Sequence, residues 1–122
     1  MDTITKLKKP KTARNRGTKS RAELQELTAQ AASAARMLKL LGNEYRLLIL
    51  CFLIAHGEMK VGELVEAVGL SQSALSQHLA LLREDGLISF RREAQTLYYR
   101  VCDPRAARIL KLLKDVYCGA LS

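Results

Sequence analysis

From Ala22 onward, apolar residues recur at helical spacing: Leu24, Leu27, Ala31, Ala34, Leu38 and Leu41 follow at alternating intervals of three and four. That spacing keeps one stripe in line along a helix and predicts close packing against another helix, for which a chain this short would use a second copy of itself. Gly42-Asn43 interrupts the pattern. A short, very apolar helix is then expected from Glu44 to Ala55, with Leu47, Leu50, Cys51 and Ile54 on its inward stripe. Val61, Leu64, Val65 and Val68 mark a third helix, stopped by Gly69. Ser71 is placed as an N-cap, Leu75, Leu79 and Leu82 share one face, and Gly86 ends that helix. Ile88 and Phe90, then Leu97, Tyr99 and Val101, alternate at the strand period, with Arg91, Arg92, Glu93 and Gln95 between them as a basic hairpin tip. Pro104 and Gly119 bracket a last helix whose apolar stripe is Ile109, Leu112, Leu113, Val116 and Tyr117, and whose other face carries Arg105, Arg108, Lys111, Lys114 and Asp115.

The helix after Ser71 has an unusual polar face. Gln72, Ser73, Ser76, Gln77 and His78 stand where a solvated helix ordinarily mixes Glu with Lys. Glutamine can pair bidentately with adenine, and serine can serve base edges or phosphates, so this face suits a DNA major groove. A merely solvated helix is the alternative for the face taken alone. His78 borders the apolar side, where it either donates to a phosphate or is satisfied by backbone. The short helix and tight turn just upstream place this helix second in a helix-turn-helix, and the hairpin supplies a wing whose Arg91 and Arg92 can reach the backbone.

The string SQSALSQHLALLREDGLI, Ser71 to Ile88, resembles the recognition-helix signature of the ArsR-type winged helix-turn-helix repressors. The resemblance runs from about Ala31 to Cys118. It implies a mostly helical chain with a β-hairpin wing, a homodimer through the first and last helices, and a repressor of double-stranded operator DNA with inverted-repeat symmetry that a chemical signal releases.

Size and charge refine that picture. The chain has 122 residues, enough for one modest core, and 48% hydrophobic content. Its longest apolar run, Leu47 to Ala55, is too short to span a bilayer, and no apolar signal segment opens the chain, so a cytoplasmic protein without membrane partners is expected. The net charge of +8 suggests nucleic acid. Residues 1–21 hold eight basic side chains against Asp2, a net +7, while the other 101 residues hold twelve bases and eleven acids. The expected organisation is a disordered basic arm over 1–21 and a DNA-binding and dimerisation domain over 22–122. The arm either adds salt-sensitive affinity for phosphates or only solubilises the chain.

The candidate signal chemistry lies in three cysteines, an odd number that argues against a structural disulfide framework. Zinc-type sites of the family lack their ligands here: the Val61-Gly62-Glu63-Leu64-Val65 stretch has no cysteine, the last helix no histidine, and His56 and His78 are the only two in the chain. No cofactor or metal is expected. Alone, Cys51 reads as a small buried hydrophobe. Cys51 before the helix-turn-helix and Cys118 at the chain's end, within RLLILC and VYC, are similar to the persulfide- and sulfide-responsive, BigR-like branch of the family. That resemblance implies a redox-sensing pair, bridged by reactive sulfur species into an intrasubunit disulfide or polysulfide. Cys102 reads as a spectator, unless all three thiols bind a soft ion such as arsenite or cuprous copper. A ligand-independent DNA-architectural protein is the other alternative. No phosphate loop, nucleophile elbow or Cys/His catalytic pair supports an enzyme.

Overall fold

The computed structural model describes residues 17–119. Two compact units meet within the first helix, one ending at Arg36 and the other starting at Met37. The elements are α1 (Gly17–Leu41), α2 (Glu44–His56), β1 (Met59–Lys60), α3 (Val61–Val68), α4 (Gln72–Glu84), β2 (Ile88–Glu93), β3 (Thr96–Val101) and α5 (Pro104–Cys118). Helix α1 begins at Gly17, within the stretch expected to form the arm; residues 1–16 of that arm lie outside the described residues.

In the first unit Leu24 and Leu27 of the expected seam are both more than 60% exposed. The second unit holds the core. The end of α1 contributes Met37, Leu40 and Leu41, and the helix-turn-helix contributes Leu64, Val68, Leu75, Leu79 and Leu82. Each fully buried leucine adds about 1.5–3 kcal/mol relative to exposure.

Short-range signals set the boundaries. Asn43 opens α2 by accepting from the Tyr45 and Arg46 N–H groups at 3.0 Å each. Glu63 accepts from the Lys60 N–H at 2.9 Å and steadies the start of α3. Gly69 takes φ of 81° to turn the chain into α4, and Ser71 Oγ accepts from the Ala74 N–H at 3.1 Å. Asp103 caps α5 through the Arg105 and Ala106 N–H groups, and Pro104 follows at the first helical position.

The sheet order is β1-β3-β2, antiparallel throughout. Phe90 faces Tyr99 across β2 and β3, their ring centroids 5.4 Å apart. Strand β1, which pairs Met59 with Tyr99 and Lys60 with Tyr98, is two residues long and carries no period of its own. Arg91, Arg92 and Glu93 lie within β2 and not at the tip, which is Ala94-Gln95, with Ala94 at φ of 57°.

The inward face of α2 differs from expectation, and α5 turns inward residues beside the stripe that the resemblance assigns to a dimer contact. In α2 the buried residues are Ile49, Leu50 and Leu53, whereas Cys51 and Ile54 are exposed. Nearly every side chain of that helix is apolar, so periodicity alone could not choose its inner side. In α5 the buried residues are Ala106 and Leu110, while Leu112, Val116 and Tyr117 of the expected stripe are 61%, 65% and 80% exposed. The arrangement of α3, tight turn, α4 and hairpin is a winged helix-turn-helix.

Candidate nucleic-acid interface and thiol pair

Helix α4 turns Leu75, Leu79 and Leu82 inward and leaves Gln72, Ser73, Ser76 and Gln77 exposed. At about 100° per residue these four fall within an arc of roughly 140°, centred away from the leucines. His78 stands apart. It is half-buried and points about 170° from the centre of that arc, toward α2. Its ring lies 6.3 Å from that of Tyr45. Burial, and then the nearby Arg46 guanidinium, hold its pKa below the usual histidine value, so it is neutral at physiological pH. Arg46 itself donates from Nε to Leu40 O at 2.8 Å and from Nη2 to Lys39 O at 3.3 Å, satisfying carbonyls at the end of α1.

The two wing arginines have different surroundings. Arg91 is engaged by Glu58 through two hydrogen bonds, Nε to Oε2 at 2.9 Å and Nη2 to Oε1 at 3.1 Å. It also donates to Glu93 at 3.2 Å and lies 4.4 Å from the centroid of the Tyr98 ring. The hydrogen bond from Arg91, and then its charge, keep the Glu58 carboxyl below the usual range despite some desolvation. Strand alternation puts Arg92 on the opposite face, in line with Phe90. The guanidinium of Arg83, from the last turn of α4, sits 4.7 Å over the Phe90 ring. Arg92 therefore lies on the face of the wing that meets α4, whereas Arg91 ties the other face to Glu58 just before β1.

The cysteines also separate. On α5, Ala107, Lys111, Lys114 and Cys118 recur at i, i+4, i+7 and i+11 and share a face. On α2, Leu48, Cys51, Phe52 and Ala55 share another. Residues of both faces line one groove of about 580 Å³, in which Cys51 sits. Cys51 and Cys118 are close enough to interact electrostatically: partial burial raises the Cys51 thiol pKa, and the Cys118 charge raises it further. Cys102 is elsewhere, at the joint between β3 and α5, where its Sγ donates to Gly86 O at 3.4 Å. Among the described residues no three His, Cys, Asp or Glu side chains are grouped to hold a metal ion. The three-thiol soft-ion site considered from sequence is thus not assembled in this subunit.

Glu58 and Arg83 carry no signal in the sequence, and Arg46, whose place near the start of α2 suits a DNA phosphate or a local acid such as Glu44, donates instead to the Leu40 and Lys39 carbonyls. Glu58 is 33 residues from Arg91, and no local pattern connects them.

Residues 43–89 match the model of the bacterial regulatory protein arsR family. The transcriptional activator HlyU of Vibrio cholerae is 48% identical over 97 residues, spanning 80% of this chain and 89% of that protein. The biofilm growth-associated repressor of Xylella fastidiosa is 35% identical, over 78% of this chain and 82% of that protein. The structure of reduced HlyU from Vibrio cholerae superposes with a TM-score of 0.73 at 48% identity, covering 77% of this chain and 98% of that one.

Proposed function

The chain belongs to the arsR family of bacterial regulatory proteins, and on that premise we propose that it is a homodimeric repressor whose grip on operator DNA is released by sulfur chemistry at Cys51 and Cys118. It is a transcriptional regulator with a winged helix-turn-helix, not an enzyme. Among the described residues no helix is long and apolar enough to cross a membrane, and the proposed site of action is the cytoplasm.

Gln72, Ser73, Ser76 and Gln77 are the proposed base-facing set, and Arg92 the proposed phosphate contact of the wing. Arg91 and His78 support the reader from behind, one fixing the wing and the other wedged against α2. Dimerisation through α1 and α5 would cover Leu24, Leu27, Leu112 and Val116 and set two α4 helices against an inverted repeat, with half-site centres about 10 bp or a multiple apart.

The observation that carries the switch is the placement of two thiols on facing helices, one at the end of α5 and one on α2, which packs against both α3 and α4. In the chemical step one thiolate attacks the sulfane sulfur of a hydropersulfide, RSSH. The donor's S–S bond breaks, RS⁻ leaves, and a protein persulfide forms. The second thiolate then attacks the protein-bonded sulfur and expels hydrosulfide, closing a disulfide. With an organic trisulfide donor, RSSSR, the first thiolate attacks the central sulfur and expels RS⁻; the second attacks that same sulfur, now between the protein sulfur and SR, breaks its bond to SR, expels the other RS⁻ and closes a trisulfide. Either bridge draws α5 toward α2 and the reader behind it. A coupling of about 2–3 kcal/mol would weaken DNA binding roughly 30- to 150-fold.

The test is operator binding by fluorescence anisotropy with intact-mass spectrometry on the same samples, reduced or treated with persulfide, peroxide or arsenite. Loss of binding with a Cys51–Cys118 link after persulfide supports the switch. Loss only with arsenite would move the assignment to a metalloid site, and no loss under any treatment would leave a constitutive DNA-binding protein. The Vibrio cholerae relative is named an activator. A winged helix that displaces another repressor from overlapping DNA activates without a separate activating surface, and competition footprinting would distinguish the two modes.

A further inference from the structure

We propose that the groove between α2 and α5 is a binding site for an amphipathic anion, a small molecule with an apolar tail and one carboxylate or sulfonate head. Its walls are Leu48, Phe52, Ile54 and Ala55 from α2 and Ala107 and Leu110 from α5. Its volume of about 580 Å³ lies in the range of small-molecule sites, which combine apolar walls with a few placed polar groups. The polar groups here are Lys111 and Lys114, three residues apart on one face of α5, and no carboxylate lines the groove with them. Lysine stems extend the apolar wall while the ammonium heads stay in water at its rim. An apolar slot lined by two cations, with Asp115 next to them on α5 but outside the lining, selects a tail carrying negative charge and disfavours a cationic one.

A second copy of the chain is the competing occupant, and the geometry of α5 argues against it. Leu112 and Val116, two of the three exposed large apolar residues of α5, lie at about 140° and 180° around the helix from Ala107, while the third, Tyr117, lies about 20° from Leu110 at the groove's edge. Ala107, Leu110, Lys111 and Lys114 cluster on the opposite side. A partner helix seated on Leu112 and Val116 therefore leaves the groove open. Cys51 sits in the groove, so an occupant would shield its thiol. Where the thiol switch operates as proposed above, the occupant would also keep Cys51 from joining Cys118 and so favour the DNA-bound form. The binding site itself does not depend on that reading, and its test reads the groove directly.

The experiment uses the full reduced chain and follows N-ethylmaleimide alkylation of each cysteine by peptide mass spectrometry, with decanoate or decylamine below their micelle concentrations. Decanoate should slow alkylation of Cys51 saturably, by about tenfold when present at about ten times its dissociation constant, and leave Cys102 unchanged. Decylamine should protect little. The K111E/K114E variant should lose the protection, and the milder K111Q/K114Q should weaken it, with thermal melts confirming that both are folded. Three results would overturn the proposal: an unchanged Cys51 rate with decanoate, equal protection by decylamine, or protection retained after charge reversal. A Cys51 that stays unreactive without ligand even at a pH well above the thiol range, yet reacts once the chain is denatured, would also overturn it, because protein would then already cover the groove.

Discussion

Cys118, on the last turn of α5, lies close enough to Cys51 on α2 for its thiolate charge to raise the pKa of the Cys51 thiol. Burial is the larger cause of that rise and the neighbouring sulfur the smaller. A raised pKa lowers the thiolate fraction at neutral pH, so Cys51 is expected to react more slowly there than an ordinary thiol. The rate of Cys51 alkylation against pH should give an apparent pKa above the ordinary thiol range. In Cys118→Ala it should fall part of the way back and no further, since burial remains. Full return to the ordinary value would show that burial is not the main cause.

Cys51→Ser should leave DNA binding in the reduced state intact and abolish the response to polysulfide. Cys102→Ser, altering a thiol at the β3–α5 joint, should keep both. The comparison is an anisotropy titration before and after treatment, and a Cys51→Ser protein that still responds would remove the two-thiol bridge.

On the reading face, Gln77→Ala should lower discrimination between operator and random DNA by about 1–3 kcal/mol, the range for one good bidentate base contact. Binding to random DNA should hardly change. An unaltered ratio of specific to non-specific affinity would take Gln77 out of base readout.

The wing separates a phosphate contact from a clamp. Arg92→Ala should reduce the slope of log affinity against log salt by about 0.9, one phosphate's worth. Arg91→Ala should weaken binding with the slope unchanged, because its guanidinium is held by Glu58 and Glu93. Glu58→Ala should act in the same direction, and the double variant should be no worse than Arg91→Ala alone. Additive losses, or a reduced slope in Arg91→Ala, would make Arg91 a direct DNA contact.

His78 supplies a pH dependence. Its pKa in the folded chain is below the usual 6.5, so between the folded and unfolded values the unfolded chain binds more protons. Stability from the neutral ring is therefore complete above about pH 6.5 and is lost as pH falls through the folded value. Urea midpoints should drop from pH 7.5 to 5.5, and His78→Gln should flatten that drop. The carboxylates of Glu58 and Asp103, both held low, act in a more acidic window. Persistence of the full drop in His78→Gln would assign it to other groups.

The chain's local patterns carried most of the fold. Asn43, Ser71 and Gly69 act within a few residues of where they stand, and Leu75, Leu79 and Leu82 repeat at the helical period, so the elements and the reader's inner face were legible in order. Caps, turns and amphipathic stripes are short-range physics, which a sequence displays directly. The inner side of α2 was not legible, because α2 is apolar almost all round, and only packing turned Ala106 and Leu110 of α5 inward beside its evident stripe. Only packing chose Ile49, Leu50 and Leu53 for the core and turned Cys51 outward toward α5. Pairings across long stretches of chain were likewise decided in three dimensions: Arg91 with Glu58 and His78 with Tyr45. Such contacts depend on where separately formed elements meet, and no spacing along the chain encodes that meeting point.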